Sequence, residues 1–180
     1  MAAGVFCVGI GVTADSHEAS AAVKVSVSKN EIRSYSGSGA LKIGKNIKSI
    51  AVDPTISGKH SISSIKVKSG NKYFYVKDGV LFSKDKTKLI LYPNMRKNTT
   101  YTVPSGVKVI DEYAFAGANI KNVTISSKVS RIGKNAFENC KSLKKVQGEF
   151  NTSELPENMF YDCTKLNYFV IPDSVKKIKW

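Results

Sequence analysis

Arginine is nearly absent from this 180-residue chain, occurring only as Arg33, Arg96 and Arg131, and acidic residues are few, 14 against 28 basic ones. The positive charge is therefore almost all lysine, and a formal net charge of +14 favours anionic partners. Scarce arginine counts against nucleic-acid recognition, which relies on guanidinium forks and aromatic platforms. Histidine is scarcer still. His60, beside Ser61 in a polar loop, is the one histidine downstream of residue 22 from which a Ser-His-Asp triad could be built, and no G-x-S-x-G elbow accompanies it. Neither a Walker-type phosphate loop nor a G-x-G-x-x-G fingerprint occurs. The three cysteines lack the histidine neighbours of a zinc site. Asp111-Glu112 and the Glu149, Glu154, Glu157 group have the residue types of glycosidase carboxylates, but they fall in turn segments flanked by lysines, where solvated charge is expected. The expectation is a chain with no catalytic residue, no cofactor and no metal site.

Long apolar runs are also lacking beyond the first dozen residues, so a mature chain has no transmembrane segment of helical length. Met1 to Val12 is small and apolar, and Ala19-Ser20-Ala21 has the small-x-small form of a signal-peptidase site, so residues 1–21 read as an export leader. It departs from the usual form in having no basic residue before Lys24. The competing reading is a buried N-terminal strand or helix, against which Asp15, His17 and Glu18 weigh. Removal of the leader would leave 28 basic against 12 acidic side chains and, of the cysteines, Cys140 and Cys163. In an oxidising exterior these two either form a disulfide or stack as equivalent buried thiols.

What the chain has in place of motifs is repetition. Val103, Val107, Ile110, Ala114, Phe115 and Ala118 each lie 22 positions before Ile125, Val129, Ile132, Ala136, Phe137 and Cys140. Ile132, Phe137, Cys140, Leu143 and Val146 lie 23 before Leu155, Phe160, Cys163, Leu166 and Phe169, and Ile171, Val175 and Ile178 begin a further copy. Apolar residues recur at first, fourth and sixth positions, as in Ile62-x-x-Ile65-x-Val67 and Ile120-x-x-Val123-x-Ile125, which is a leucine-rich-repeat strand signature. One coil cannot bury its own apolar side, so the coils must stack. The fold class expected is a repeat solenoid, a right-handed leucine-rich-repeat coil with a parallel β-sheet on its concave face.

The runs Val103-Pro104-Ser105-Gly106-Val107, Val129-Ser130-Arg131-Ile132-Gly133-Lys134-Asn135-Ala136-Phe137-Glu138-Asn139-Cys140 and Ile171-Pro172-Asp173-Ser174-Val175 resemble the repeat of BspA-like leucine-rich-repeat proteins. The resemblance covers about residues 41 to 178 and implies a bacterial surface or secreted protein, with adhesion to host matrix proteins or other cells as the activity. Three positions depart from the pattern: Asp111 stands for glycine, Ala118 for cysteine, and Gly148 for an apolar residue.

Residues 41–178 are thus expected to be repeats of about 23 residues, the last truncated, with a small antiparallel β-meander inserted at 73–93 around Asp78-Gly79 and Ser83 to Lys86. Residues 22–40 should hold an edge strand, Val23, Val25 and Val27 alternating, and a flexible joint from Ser34 to Ala40. The concave face should expose the residues flanking each fourth apolar position: Ser64, Lys66, Asn122, Thr124, Lys145, Gln147, Tyr168 and Val170. Lys121, Lys144 and Lys165 recur near the strand starts and read as a basic ribbon. Such a face suits an extracellular protein or an anionic glycan or wall polymer, bound by a monomer. Lysines kept for solubility give the plainer reading. The function expected is binding in adhesion at the cell surface; the alternative is a structural spacer within a larger surface protein.

Overall fold

The computed structural model describes residues 22–51 and 60–179, so the leader reading at 1–21 lies outside the described residues. Every regular element among them is a strand. In chain order these are β1 (Lys24–Ser28), β2 (Glu31–Ile43), β3 (Ser49–Ile50), β4 (His60–Val67), β5 (Phe74–Lys77), β6 (Val80–Ser83), β7 (Lys88–Leu91) and β8 (Thr100–Thr102). Then follow β9 (Val109–Ile110), β10 (Asn122–Thr124), β11 (Arg131–Ile132), β12 (Lys145–Gln147), β13 (Glu154–Leu155), β14 (Tyr168–Phe169) and β15 (Lys177–Ile178).

From β8 onward the chain is a β-solenoid. Strands β8, β10, β12 and β14 lie side by side in one parallel sheet, while β9 pairs with β11, and β13 with β15, on another side of the coils. The register reproduces the sequence period: Val123 sits opposite Tyr101 and Val146, and Val146 opposite Phe169. Steps of 22 and 23 residues thus each advance the chain by one strand spacing, about 4.8 Å. Ile120, Val123, Ile125, Val129, Leu143 and Val146 fill the interior, and the repeat's phenylalanines stack through it, with ring centroids 4.8 Å apart for Phe115 and Phe137 and 5.5 Å for Phe137 and Phe160. The turn carrying each Ala-Phe pair is also laddered, because the N–H groups of Tyr113, Phe115 and Gly117 donate to the carbonyls of Lys134, Ala136 and Glu138 one coil on.

Gly148 is explained by the path of its coil. Its φ is +129°, and a Cβ there would lie 2.0 Å from the Ile125 carbonyl oxygen of the preceding coil. The missing apolar side chain is replaced by Phe150, two residues on, which is buried and stacks at 6.3 Å on Phe169. Gly133 is demanded by proximity alone, since a Cβ would come within 2.4 Å of the Glu112 backbone nitrogen.

The meander β5–β6–β7 is antiparallel as expected, and β7 pairs in parallel with β9, so the hairpins extend a solenoid sheet in the order β11-β9-β7-β6-β5. Asp85 fixes the β6–β7 turn by accepting hydrogen bonds from the Ser83 hydroxyl (2.6 Å) and the Thr87 hydroxyl (2.9 Å), which hold its carboxyl below the usual range.

The N-terminal expectations need two corrections. The joint placed at Ser34 to Ala40 is the middle of β2, a continuous strand flanked by β1 in antiparallel and by β3 and β4 in parallel. Gly37 and Gly39, with φ of 92° and 107°, accommodate a break of register against β4 between Gly39 and Ala40. In a strand, glycine marks such a bulge as readily as it marks a linker. His60, read as a loop residue, opens β4 and faces Gly37 in the pairing.

Candidate functional site

The sheet β8–β10–β12–β14 has one face turned into the core through Tyr101, Val123, Val146 and Phe169. Alternation along each strand sends the flanking residues to the opposite face. In register these form two rows running across the strands: Thr100, Asn122, Lys145 and Tyr168 in one, Thr102, Thr124 and Gln147 in the other. Val170, 55% exposed, follows Phe169 on the far side of the last strand.

Five of the expected residues, Asn122, Thr124, Lys145, Gln147 and Tyr168, are therefore brought together, and four of them touch in two pairs. The Lys145 ammonium lies 4.5 Å from the Tyr168 ring centroid, and the Gln147 amide donates to the Thr124 hydroxyl at 3.3 Å. Tyr168 keeps 46% of its surface open. Thr100 and Thr102 belong to the same rows and escaped the sequence reading, although Tyr101 precedes Val123 by the same 22 positions that relate Val103 to Ile125.

Ser64 and Lys66 do not join them. They lie on β4, whose partner is β2, opposite Ala40 and Lys42 in a separate sheet. The meander separates β4 from the coils in sequence, and its Gly79 turn packs on β4 at Ser64, where the Ile65 N–H donates to the Gly79 carbonyl and a Cβ on Gly79 would lie 3.3 Å from that of Ser64, while Lys66 stays exposed.

The lysine ribbon is shorter than expected. Backbone hydrogen bonds link Thr99, Lys121, Lys144 and Asn167 in succession, so Asn167 holds the place given to Lys165, which falls two residues earlier in its coil. The face is nonetheless one-signed. Residues 97–102, 119–124, 141–147 and 164–170, the strands with their leading turns, contain six lysines and no aspartate or glutamate. Of these lysines only Lys141 is ion-paired among the described residues, to Asp162 at 3.3 Å.

The carboxylates gather elsewhere on the coils. Asp111 pairs with Lys88 at 3.6 Å, Glu112 with Lys134 at 3.9 Å and Glu154 with Lys179 at 2.8 Å. The hydrogen bond from Lys179 lowers the Glu154 carboxyl below its ordinary range. A shallow cavity of about 380 Å³ between Glu112, Arg131, Lys134, Glu154, Glu157 and Lys179 is thus lined by charges of both signs. Another, about 430 Å³, opens over Leu155, Met159, Phe160, Phe169 and Ile178 and is largely apolar. No group of three or more His, Cys, Asp or Glu residues stands together in a metal-holding arrangement among the described residues.

Two further clusters are structural in geometry. Arg96 covers the rings of Tyr92 and Tyr101 at 5.5 and 5.7 Å, and burial pushes both phenols up. Cys140 and Cys163 are free thiols that donate to the carbonyls of Phe115 and Phe137, at 2.9 and 3.0 Å, in equivalent places one coil apart.

A family model described as the BspA type leucine rich repeat region matches residues 91–180 in six copies. No curated protein matches the chain. Among solved structures, the pneumococcal vaccine antigen PcpA is 29% identical with a TM-score of 0.67, over 78% of this chain and 34% of that one. A leucine rich cell surface protein from Faecalibacterium prausnitzii is 28% identical with a TM-score of 0.69, over 78% and 37%. A leucine-rich repeat protein from Eubacterium ventriosum, 22% identical with a TM-score of 0.55, shares the fold over 78% of this chain and 48% of its own. The chain thus spans about a third of the length of the first two.

Proposed function

Because this chain belongs to the BspA-type leucine-rich-repeat family, we propose that it is a secreted or cell-surface binding protein, without catalytic activity, that adheres to an extracellular ligand through the β8–β10–β12–β14 sheet. The observation that carries the reading is the exposed face of that sheet, where Asn122, Lys145, Gln147 and Tyr168 stand in register with polar neighbours and no carboxylate interrupts them. Solenoids present such laddered faces as extended binding surfaces. An aromatic ring held half-open among hydrogen-bonding side chains gives contact area at low entropic cost. Export is supported by the leader reading and by the F. prausnitzii neighbour, which is named a cell surface protein.

The test is binding of the full chain to arrayed matrix proteins and surface glycans at physiological salt, with a Gln147→Ala/Tyr168→Ala variant alongside. Saturable binding weakened at least about tenfold in the variant is the expected result, since an anchoring aromatic costs about 2 kcal/mol or more when truncated. A second reading, a spacer module, is supported by the match to only about a third of each of the first two solved relatives. A spacer would give no saturable binding to any ligand on the array.

A further inference from the structure

The sheet face differs from the rest of the coils in the sign of its charge. Lys97, Lys121, Lys144, Lys145 and Lys165 lie on or beside it without an acidic partner among the described ion pairs, while lysines on the β9–β15 side are interleaved with Asp111, Glu112 and Glu154. A face kept only for solubility would have no reason to exclude carboxylates from four successive segments, because mixed charge serves solubility as well. Like-signed ammonium groups one strand spacing apart repel one another, and a bound polyanion relieves that repulsion.

The other side chains of the face say what kind of polyanion. Hydroxyl and amide groups of Thr100, Thr102, Asn122, Thr124 and Gln147 share their rows with Lys145, while the exposed Lys121 and Lys144 lead into the strands one residue earlier, and together they suit a partner rich in hydroxyls. The open ring of Tyr168, with the Lys145 ammonium 4.5 Å from its centroid, offers apolar area beside a positive charge. A sugar ring carrying a sulfate answers both at once. An inorganic polyphosphate has no ring to lie on the tyrosine, and for the bases of a nucleic acid the face has a single exposed aromatic and no arginine.

We infer that the β8–β10–β12–β14 face binds a linear sulfated polysaccharide laid across the strands, its sulfates on Lys121, Lys144 and Lys145 and a sugar ring against Tyr168. This rests on the reading of that sheet as the ligand face and names the ligand's chemistry.

The experiment measures affinity of the full chain for heparin, desulfated heparin, inorganic polyphosphate and single-stranded DNA between 50 and 300 mM salt. Lys121→Gln/Lys144→Gln/Lys145→Gln is compared with Lys108→Gln/Lys128→Gln/Lys176→Gln, which removes the same charge from exposed positions outside the sheet. Heparin is expected to bind saturably at 150 mM salt, at least about tenfold more weakly to the first variant and within about twofold of the parent for the second. Tyr168→Ala should weaken heparin and leave the residual attraction for polyphosphate unchanged. Equal losses in both triple variants would reduce the effect to bulk charge and overturn the inference. Polyphosphate or DNA bound as tightly as heparin would overturn it in favour of a phosphate polymer or a nucleic acid. If heparin fails while a protein on the array still binds and loses affinity in Gln147→Ala/Tyr168→Ala, the ligand face stands and only its sulfated partner falls.

Discussion

At the scale of single residues, the repeat is enforced by backbone conformations as much as by apolar side chains. Tyr113, Asn135 and Asn158, and again Gly117, Asn139 and Asp162, have φ between 52° and 67° at steps of 22 and 23 residues. Asn, Asp and Gly tolerate the left-handed region best, which is why those types recur around the Ala-Phe turn and why Tyr113 stands out. The two cysteines show how equivalent positions part company. Cys140 is fully buried, and its thiol is pushed up by the neighbouring Cys163 sulfur and by burial. Cys163 is half-buried, and when it ionises the Cys140 thiol can turn from the Phe115 carbonyl to donate to it, which pulls its value down. A lowered value means more thiolate at a given pH, and the thiolate is the nucleophile. Native, reduced protein treated with iodoacetamide should therefore be alkylated at Cys163 with a pH midpoint below that of free cysteine, while Cys140 stays unmodified until the chain unfolds. Peptide mapping by mass spectrometry reads both sites, and equal native rates would show that the two thiols do not share a hydrogen bond in this arrangement.

At the scale of elements, strands of two or three residues are too short to be read from alternation, and it was the 22- and 23-residue offsets that placed Val123, Val146 and Phe169 in register. Two features stayed hidden because they break the period. Phe150 enters the core from a position with no apolar counterpart in the neighbouring coils, and β2 runs unbroken through two glycines that look like a linker. The site was legible to the same extent: the rows on β10, β12 and β14 follow from the repeat, whereas Ser64 and Lys66 share the local pattern on a strand that pairs with β2 in a separate sheet. Gly148 links these points, since its backbone both approaches Ile125 and turns the chain so that Phe150 faces inward. Gly148→Ala should destabilise the protein by about 2–4 kcal/mol, combining a disfavoured φ with a backbone clash that can be relieved only by parting two coils. Urea unfolding followed by circular dichroism measures it; a loss under about 0.5 kcal/mol would mean that the coil closes without that approach.

At the scale of the whole molecule, nearest-neighbour contacts dominate a solenoid, and such arrays come apart piecemeal when one interface is weak. Here there are two apolar cores. One, built from Ile32, Tyr35, Leu41, Ile43, Ile62 and Ile65, lies among β2 and β4; the other runs through the coils from Val103 to Met159. The meander belongs to both. Val80 and Phe82 of β6 and Leu89 of β7 face the coil core, whereas Leu81, Ile90 and Leu91 face the N-terminal one, so these strands are buried on both sides. The meander, expected only as an insertion among the repeats, is the wall the two cores share. Cooperative unfolding follows, because neither core can open without exposing a strand that the other also buries. Native-state hydrogen exchange should find the amides of β2 and of β10 protected by similar opening free energies. Leu81→Ala, whose side chain touches only the N-terminal core, should lower both together by about 2–5 kcal/mol. Loss of protection in β2 with β10 unchanged would show instead that the coils stand by themselves and that the meander insulates the two cores from each other.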